Sequence, residues 1–382
     1  MIHLREEYVP NINKQKSYCI VAITKHSVEL ARKLSTLFPN ADLYYPSKFA
    51  KGDEDKEGIQ LYEGNVRILL SSLFQQYEGL ILFISLGATV RMIAPLLKDK
   101  MKDPAVLVID DQARHVISVL SGHLGGANEL TREIASLLHS KPVITTASDV
   151  QKTIAVDLFG ARFGWVWDSD ENLTPVSASV VNEEHVAIVQ ESGEKDWWTY
   201  EHPIPEQIKI YQTIQDAIEA RPDAALIVTH RLLTEEESII LNNGVVFRPK
   251  VIVLGIGCNR GTSAEEINSV IEETLLELGF SSKSIKAICT IDLKKDEEGL
   301  LQVVKERNAE FCTYSSDQLN EMHIEEPSET VFKYTGAYSV SEAAAKRYLQ
   351  SDTLHLVKKK SGNVTISVGV LQQEEENQWQ KD

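Results

Sequence analysis

A chain of 382 residues is too long for one compact domain; at about 150 residues per domain the expectation is two or three. Hydrophobic residues make up 43% and charged residues 25%, which excludes a mostly disordered protein. The 39 basic against 56 acidic residues leave a net charge of −17, so neither nucleic acid nor an anionic membrane is expected as a partner, because each calls for a basic surface. No apolar run approaches the about 20 residues of a membrane helix. The opening MIHLREEYVP has no signal core, and the expected location is cytoplasmic. Cys19, Cys258, Cys289 and Cys312 form no CxxC pair and no zinc spacing. They read as small buried residues, with no protein metal site and no disulfide.

In chain order, residues 17–24 (SYCIVAIT) read as a buried strand and 27–38 as an amphipathic helix stopped by Pro39. A short strand at 42–45 follows, then a helical period over 65–77. Residues 79–86 (GLILFISL) form a strongly buried strand ended by Gly87, and 89–98 resume helical spacing. Strands at 105–110 and 115–120, a helix at 128–138 and a strand at 142–146 complete the first part. The alternation predicts α/β architecture with a mainly parallel sheet. Residues 151–249 hold four of the five tryptophans and read as a smaller middle domain, with strands at 186–190 and 225–229 and a loop at 193–205. A second α/β domain begins at Lys250: strand 251–256, helix 262–278, strand 284–291, helices 296–308 and 340–348, and a closing strand 364–370. The expected organisation is therefore two α/β domains, 1–150 and 250–382, joined by the middle domain 151–249, with a frayed polar tail from Glu374.

Ligands of α/β sheets bind at carboxyl ends of strands, where glycine-rich turns lead into helices. Three such turns stand out. The first carries Gly87, Thr89 and Arg91, with Arg91 expected in the first turn of the next helix, near free N–H groups that favour an anion. The second, SGHLGGANE, carries Ser121, Gly122, His123, Gly125, Gly126, Asn128 and Glu129; its glycines allow close backbone approach, and Asn128 reads equally as a helix N-cap. The third carries Gly257, Cys258, Arg260, Gly261 and Thr262. Its GxGxxxG spacing is not a dinucleotide fingerprint and it has no P-loop lysine, but amides with Arg260 would cradle an anion. Ser263 and Glu266 have capping-box spacing. Asp110 and Asp111 end a strand together, as a base and its orienter or as turn residues. Thr145, Thr146, Ser148 and Asp149 cluster at another strand end. By themselves these residues describe an anion-binding α/β protein.

The stretch 86–149, above all SGHLGGANEL, resembles the signature region of the cobalamin biosynthesis protein G family. GIGCNRGTSAEEI from Gly255 resembles that family's C-terminal domain, as do Thr290-Ile291-Asp292 with Lys294 and the run from Asp296 to Leu300. Where the family usually has a cysteine before Glu-Ala-Ala, this chain has Ser341, and where it often has two arginines in the third turn, this chain has Asn259 and Arg260. The resemblance implies hydrolysis of cobalt-precorrin-5A in anaerobic vitamin B12 synthesis: a lactone on a cobalt-bound tetrapyrrole is opened and acetaldehyde leaves, giving cobalt-precorrin-5B. It implies no cofactor, since the cobalt comes with the substrate, and neighbouring pathway enzymes as partners. On this reading His123 is the expected base, oriented by Asp110 or Asp111, with Glu129 beside it and the amides of Gly125 and Gly126 holding the oxyanion. The other residues named in the three turns, with Thr145 and Thr146, are expected to bind substrate. Two competing expectations are a non-catalytic carrier of a cobalt-tetrapyrrole intermediate and a phosphate-ligand enzyme.

Overall fold

The computed structural model describes residues 12–372. The opening ten residues and the polar tail from Glu374 lie outside them. The chain divides into two compact units, residues 1–158 and 159–382. Among the described residues, no helix is long and apolar enough to cross a membrane.

The first unit is one seven-stranded sheet in the order β3-β2-β1-β4-β5-β6-β7. Its strands are β1 (Tyr18–Ala22), β2 (Ala41–Pro46), β3 (Gln60–Tyr62), β4 (Gly79–Phe83), β5 (Ala105–Ile109), β6 (His115–Leu120) and β7 (Lys141–Val143). β4 and β5 are buried at every position, as apolar runs covered on both faces must be. Strands β1 to β5 run parallel. β6 does not: it returns antiparallel beside β5, and β7 then follows β6 in parallel. The connection of only five residues after β5 forces this, because a parallel return needs a crossover of a dozen or more. The sheet therefore has carboxyl ends on both rims. Gly87, Asp110 and Asp111 follow strands ending on one rim; residues 121–128 and 145–146 follow strands ending on the other.

The second unit holds two sheets. The middle one, β10-β9-β11-β12-β8, comprises β8 (Val166–Trp167), β9 (Val186–Gln190), β10 (Ile208–Tyr211), β11 (Ala224–Val228) and β12 (Gly244–Arg248). Its strands are parallel except for β8. The tryptophans of this region serve packing: Trp165 and Trp197 both meet the ring of Phe159, which also meets Phe247. Residues 193–205 carry no regular element. The last sheet, β15-β14-β13-β17-β16, comprises β13 (Ile252–Cys258), β14 (Ile285–Ile291), β15 (Glu310–Tyr314), β16 (Leu356–Ser361) and β17 (Val364–Val370). β13, β14 and β15 are parallel, and the β16–β17 hairpin closes the sheet antiparallel on β13. Backbone bonds from Ser281 N–H to His230 O and from Leu232 N–H to Gly279 O join the two halves of this unit.

Gly255 in β13 has a reason unrelated to any ligand. A Cβ there would stand 1.8 Å from the carbonyl oxygen of Ser341. The helix Ser341–Leu349 lies directly on the strand at that point. Gly255→Ala is expected to destabilise the second unit by about 1–3 kcal/mol, the usual cost of overpacking, read as a lower urea midpoint. An unchanged midpoint would mean that this contact yields freely.

Candidate functional site

His123 sits in a loop built to hold it. Ser121 adopts a left-handed φ of 57°, and its hydroxyl donates to the Asp103 carbonyl at 2.8 Å. A Cβ on Gly125 would stand 2.3 Å from the Ser121 Cβ, so the loop closes only with glycine. Gly126, at φ 78°, caps the helix Ala127–Leu138, and the N–H groups of Gly126, Ala127 and Asn128 donate back to His123, Ser121 and Gly122. The Gly126 amide is thus already committed to the loop rather than to an oxyanion.

The His123 ring lies between two carboxylates. Nδ1 is 3.0 Å from Asp157 and Nε2 is 3.1 Å from Asp149, with the Ser148 hydroxyl also 3.1 Å from Nε2. The three side chains are 16–19% exposed. Asp149 also accepts from Asn128 Nδ2 at 2.8 Å and pairs with Arg132. Asn128 further donates to Thr146 and accepts from Ser118. It stands inside the helix, not at its cap, and its amide ties the loop to the carboxylate. The hydrogen bond to Asp157 does most to raise the His123 pKa above its ordinary value; burial opposes, and the charge of Asp157 and the contact with Asp149 add. A carboxylate facing each ring nitrogen stabilises the protonated form of the ring, which is the physical cause of the upward shift. This is an acid's environment rather than a free base's.

Several expected site residues lie elsewhere. Asp110 caps its own turn, accepting from the N–H groups of Gln112, Arg114 and His115 and from the His115 ring. Those bonds hold its carboxyl below the usual range despite opposing burial. Asp111 meets Thr24 and His26 at the surface. Neither orients His123, because the antiparallel return of β6 carries the chain away to the opposite rim. Glu129 is 80% exposed and pairs with Arg132, reaching His123 only through Arg132 and Asp149. Arg91 falls in the last turn of the helix Leu86–Ile93, not the first, and is exposed, away from the amides expected to share an anion with it. Thr89 is fully buried with its hydroxyl unpartnered, which removes it from any ligand surface. Gly87 and Thr145 are exposed.

The third turn is filled from within. The Gly261 N–H donates to the Glu297 carboxylate at 2.6 Å, and Arg260 pairs with Asp296 at 2.7 Å. The cradle expected for a ligand anion already holds the chain's own carboxylate. Thr262 is buried and donates to the Asn259 carbonyl, while Gly257 and Cys258 line a cavity; burial pushes the Cys258 thiol up. Ser263 accepts from the Glu266 N–H, but the Glu266 side chain goes to Asn363, so the capping box is half made.

Asp157, Arg132 and Ser118 were not legible as site residues. Asp157 lies in an ordinary VDLF run beyond the expected boundary at 150, and only a unit extending to residue 158 brings it under His123.

Residues 69–149 match the family described as Cobalamin synthesis G N-terminal, 154–249 the Cobalamin biosynthesis central region, and 252–369 the Cobalamin synthesis G C-terminus. The chain is 65% identical to the cobalt-precorrin-5A hydrolase of Priestia megaterium, over 97% of this chain and 99% of that protein. It is 30% identical to the cobalt-precorrin-5A hydrolase of Salmonella typhimurium over 94% of this chain and 99% of that one. The crystal structure of CobE, a protein from the cobalamin (vitamin B12) biosynthetic pathway, matches 33% of this chain and 94% of its own at 30% identity, with a TM-score of 0.31. With two full-length relatives at this identity and three consecutive family segments in order, the chain belongs to the cobalamin synthesis G family.

Proposed function

We propose that this protein hydrolyses cobalt-precorrin-5A, opening its lactone with water and releasing acetaldehyde to give cobalt-precorrin-5B. The observation that carries the reading is the 65% identity to a cobalt-precorrin-5A hydrolase along nearly the whole of both chains. In the chemistry we infer, water adds to the lactone carbonyl and its proton passes to a carboxylate of the His123 cluster. The His123 imidazolium protonates the leaving ring oxygen, which becomes a hydroxyl. That hydroxyl then loses its proton as the adjacent carbon–carbon bond breaks. The two-carbon piece departs as acetaldehyde, and the bonding pair passes to the macrocycle, which takes up a proton. The reading needs no resident cofactor, because the cobalt arrives with the substrate. On this reading the protein works in the cytoplasm and receives its substrate from neighbouring pathway enzymes.

The test is anaerobic incubation of the purified chain with cobalt-precorrin-5A, trapping aldehyde and weighing the macrocycle. Acetaldehyde matched by a two-carbon loss from the macrocycle is expected. A macrocycle that binds and stays unchanged would replace the hydrolase with a carrier.

A further inference from the structure

The carboxyl ends of β13 and β14 open onto a cavity of ≈ 670 Å³ within the second unit. We propose that this cavity binds a macrocycle bearing several carboxylates, and that Lys358 and Lys360 hold those carboxylates. The inference rests on the reading above for which macrocycle is meant.

The charge argument begins with the pleat of β16. Successive side chains of a strand point to opposite faces, so the run Lys358-Lys359-Lys360 is divided. Lys359 pairs with Glu277 at 2.8 Å and with Glu273 at 3.7 Å, both on the helix Ala264–Glu277. Lys358 and Lys360 line the cavity, and among the described residues neither has an ion-pair partner. The two other cations of the wall are already matched: Arg260 by Asp296, Lys294 by Glu297. Two unmatched lysines facing one cavity, in a chain of net charge −17, mark a place for an anion. The helix Ser341–Leu349 also begins at this wall, and no side chain caps its start. Its first N–H groups add to the attraction for negative charge.

The rest of the wall excludes a small ion as the intended ligand. Ile291, Val331 and Val340 line the interior, and Tyr334 and Leu293 belong to the wall although 77% and 51% exposed. A bare anion would leave these apolar surfaces in water. A flat ring would cover them while its acid side chains reach the lysines. The volume falls within the about 300–1,000 Å³ of ligand clefts.

The experiment titrates the full chain with cobyrinic acid, a corrinoid with carboxylate side chains, and with cobinamide, whose side chains are amides. Binding of cobyrinic acid that weakens with salt, and is much tighter than that of cobinamide, is expected. Lys358→Gln with Lys360→Gln should cost about tenfold per lysine, as loss of a charge-assisted bond implies. Lys359→Gln, altered on the opposite face, should bind as the parent does. No binding of cobyrinic acid, equal binding of the two corrinoids, an unaffected double variant, or displacement by equimolar citrate would each overturn the site. Acetaldehyde release separates this inference from the proposed reaction. Lysine-dependent binding without aldehyde keeps the site and removes the hydrolase. Aldehyde release with an unchanged KM in the double variant keeps the hydrolase and removes the site.

Discussion

Replacing His123 by Asn is expected to lower acetaldehyde release by about 10²- to 10⁴-fold, the range that one positioned acid–base group contributes. The ring is held by Asp149 and Asp157 on its two nitrogens, so the substitution removes the proton without removing a core side chain. Circular dichroism should change little, while the urea midpoint should fall by the contribution that the raised His123 pKa makes to stability. The pH profile tests the role more closely. The His123 pKa is raised, chiefly by the hydrogen bond to Asp157. An acid with a raised pKa is fully loaded below the ordinary value of about 6.5 and is lost as pH rises through the raised one. Turnover should therefore fall on the alkaline side. Asp157→Asn should move that fall to lower pH while retaining part of the rate. The same sign holds for stability, where the cluster's contribution is complete below the ordinary histidine pKa and disappears through the raised value. Wild-type turnover in the Asn variant, or an alkaline limb unmoved by Asp157→Asn, would remove His123 from the chemistry.

Lys346→Met is expected to be the most damaging single change outside the site. Lys346 and Glu342 form an ion pair of 2.7 Å on the helix Ser341–Leu349, with side chains only 3% and 2% exposed. Lys346 also donates to the His323 carbonyl at 2.8 Å. Removing the ammonium leaves a carboxylate buried without its countercharge. Breaking such a pair from one side costs about 3–5 kcal/mol. Adding Glu342→Gln should recover most of that loss, because no uncompensated charge then remains. Chemical denaturation of the parent, the single variant and the double variant measures both steps. A single variant no less stable than the parent would show that the carboxylate finds water or a proton without penalty.

Much of the fold was legible because strand burial and helix period are written locally. The buried runs of β4 and β5, the helix that follows the SGHLGG loop and the alternation of the last domain all reflect which faces are covered. What could not be read is pairing direction. The run HVISVL looks the same whether it lies parallel or antiparallel to β5, and that choice decided which rim His123 occupies. Asp110 and Asp111 were plausible partners only for a strand running the other way. Long-range contacts were equally hidden: Asp157 is 34 residues from His123, and nothing in its neighbourhood marks it. Nothing local in SEAAAKRY marks Glu342 and Lys346 as buried, yet their helix packs against β13, β14, β17 and the short helix Ser316–Asn320, which leaves the two side chains only 2% and 3% exposed. The third turn shows the complementary failure. Its glycines and arginine had the chemistry of an anion cradle, but Glu297, far along the chain, supplies the anion.

The divided lysine run in β16 has a bearing on how such a chain can change over time. β16 is an edge strand whose pairing with β17 is offset between Leu356 and Lys359 and regular from there to Ser361. In a pleated ribbon, gaining or losing one residue ahead of the run inverts every side chain after it. A single codon inserted there would turn one lysine to the cavity and two to the acidic helix, with the composition of the run untouched. Charge-preserving substitutions within the run should thus drift freely among descendants, while insertions and deletions beside it should be purged.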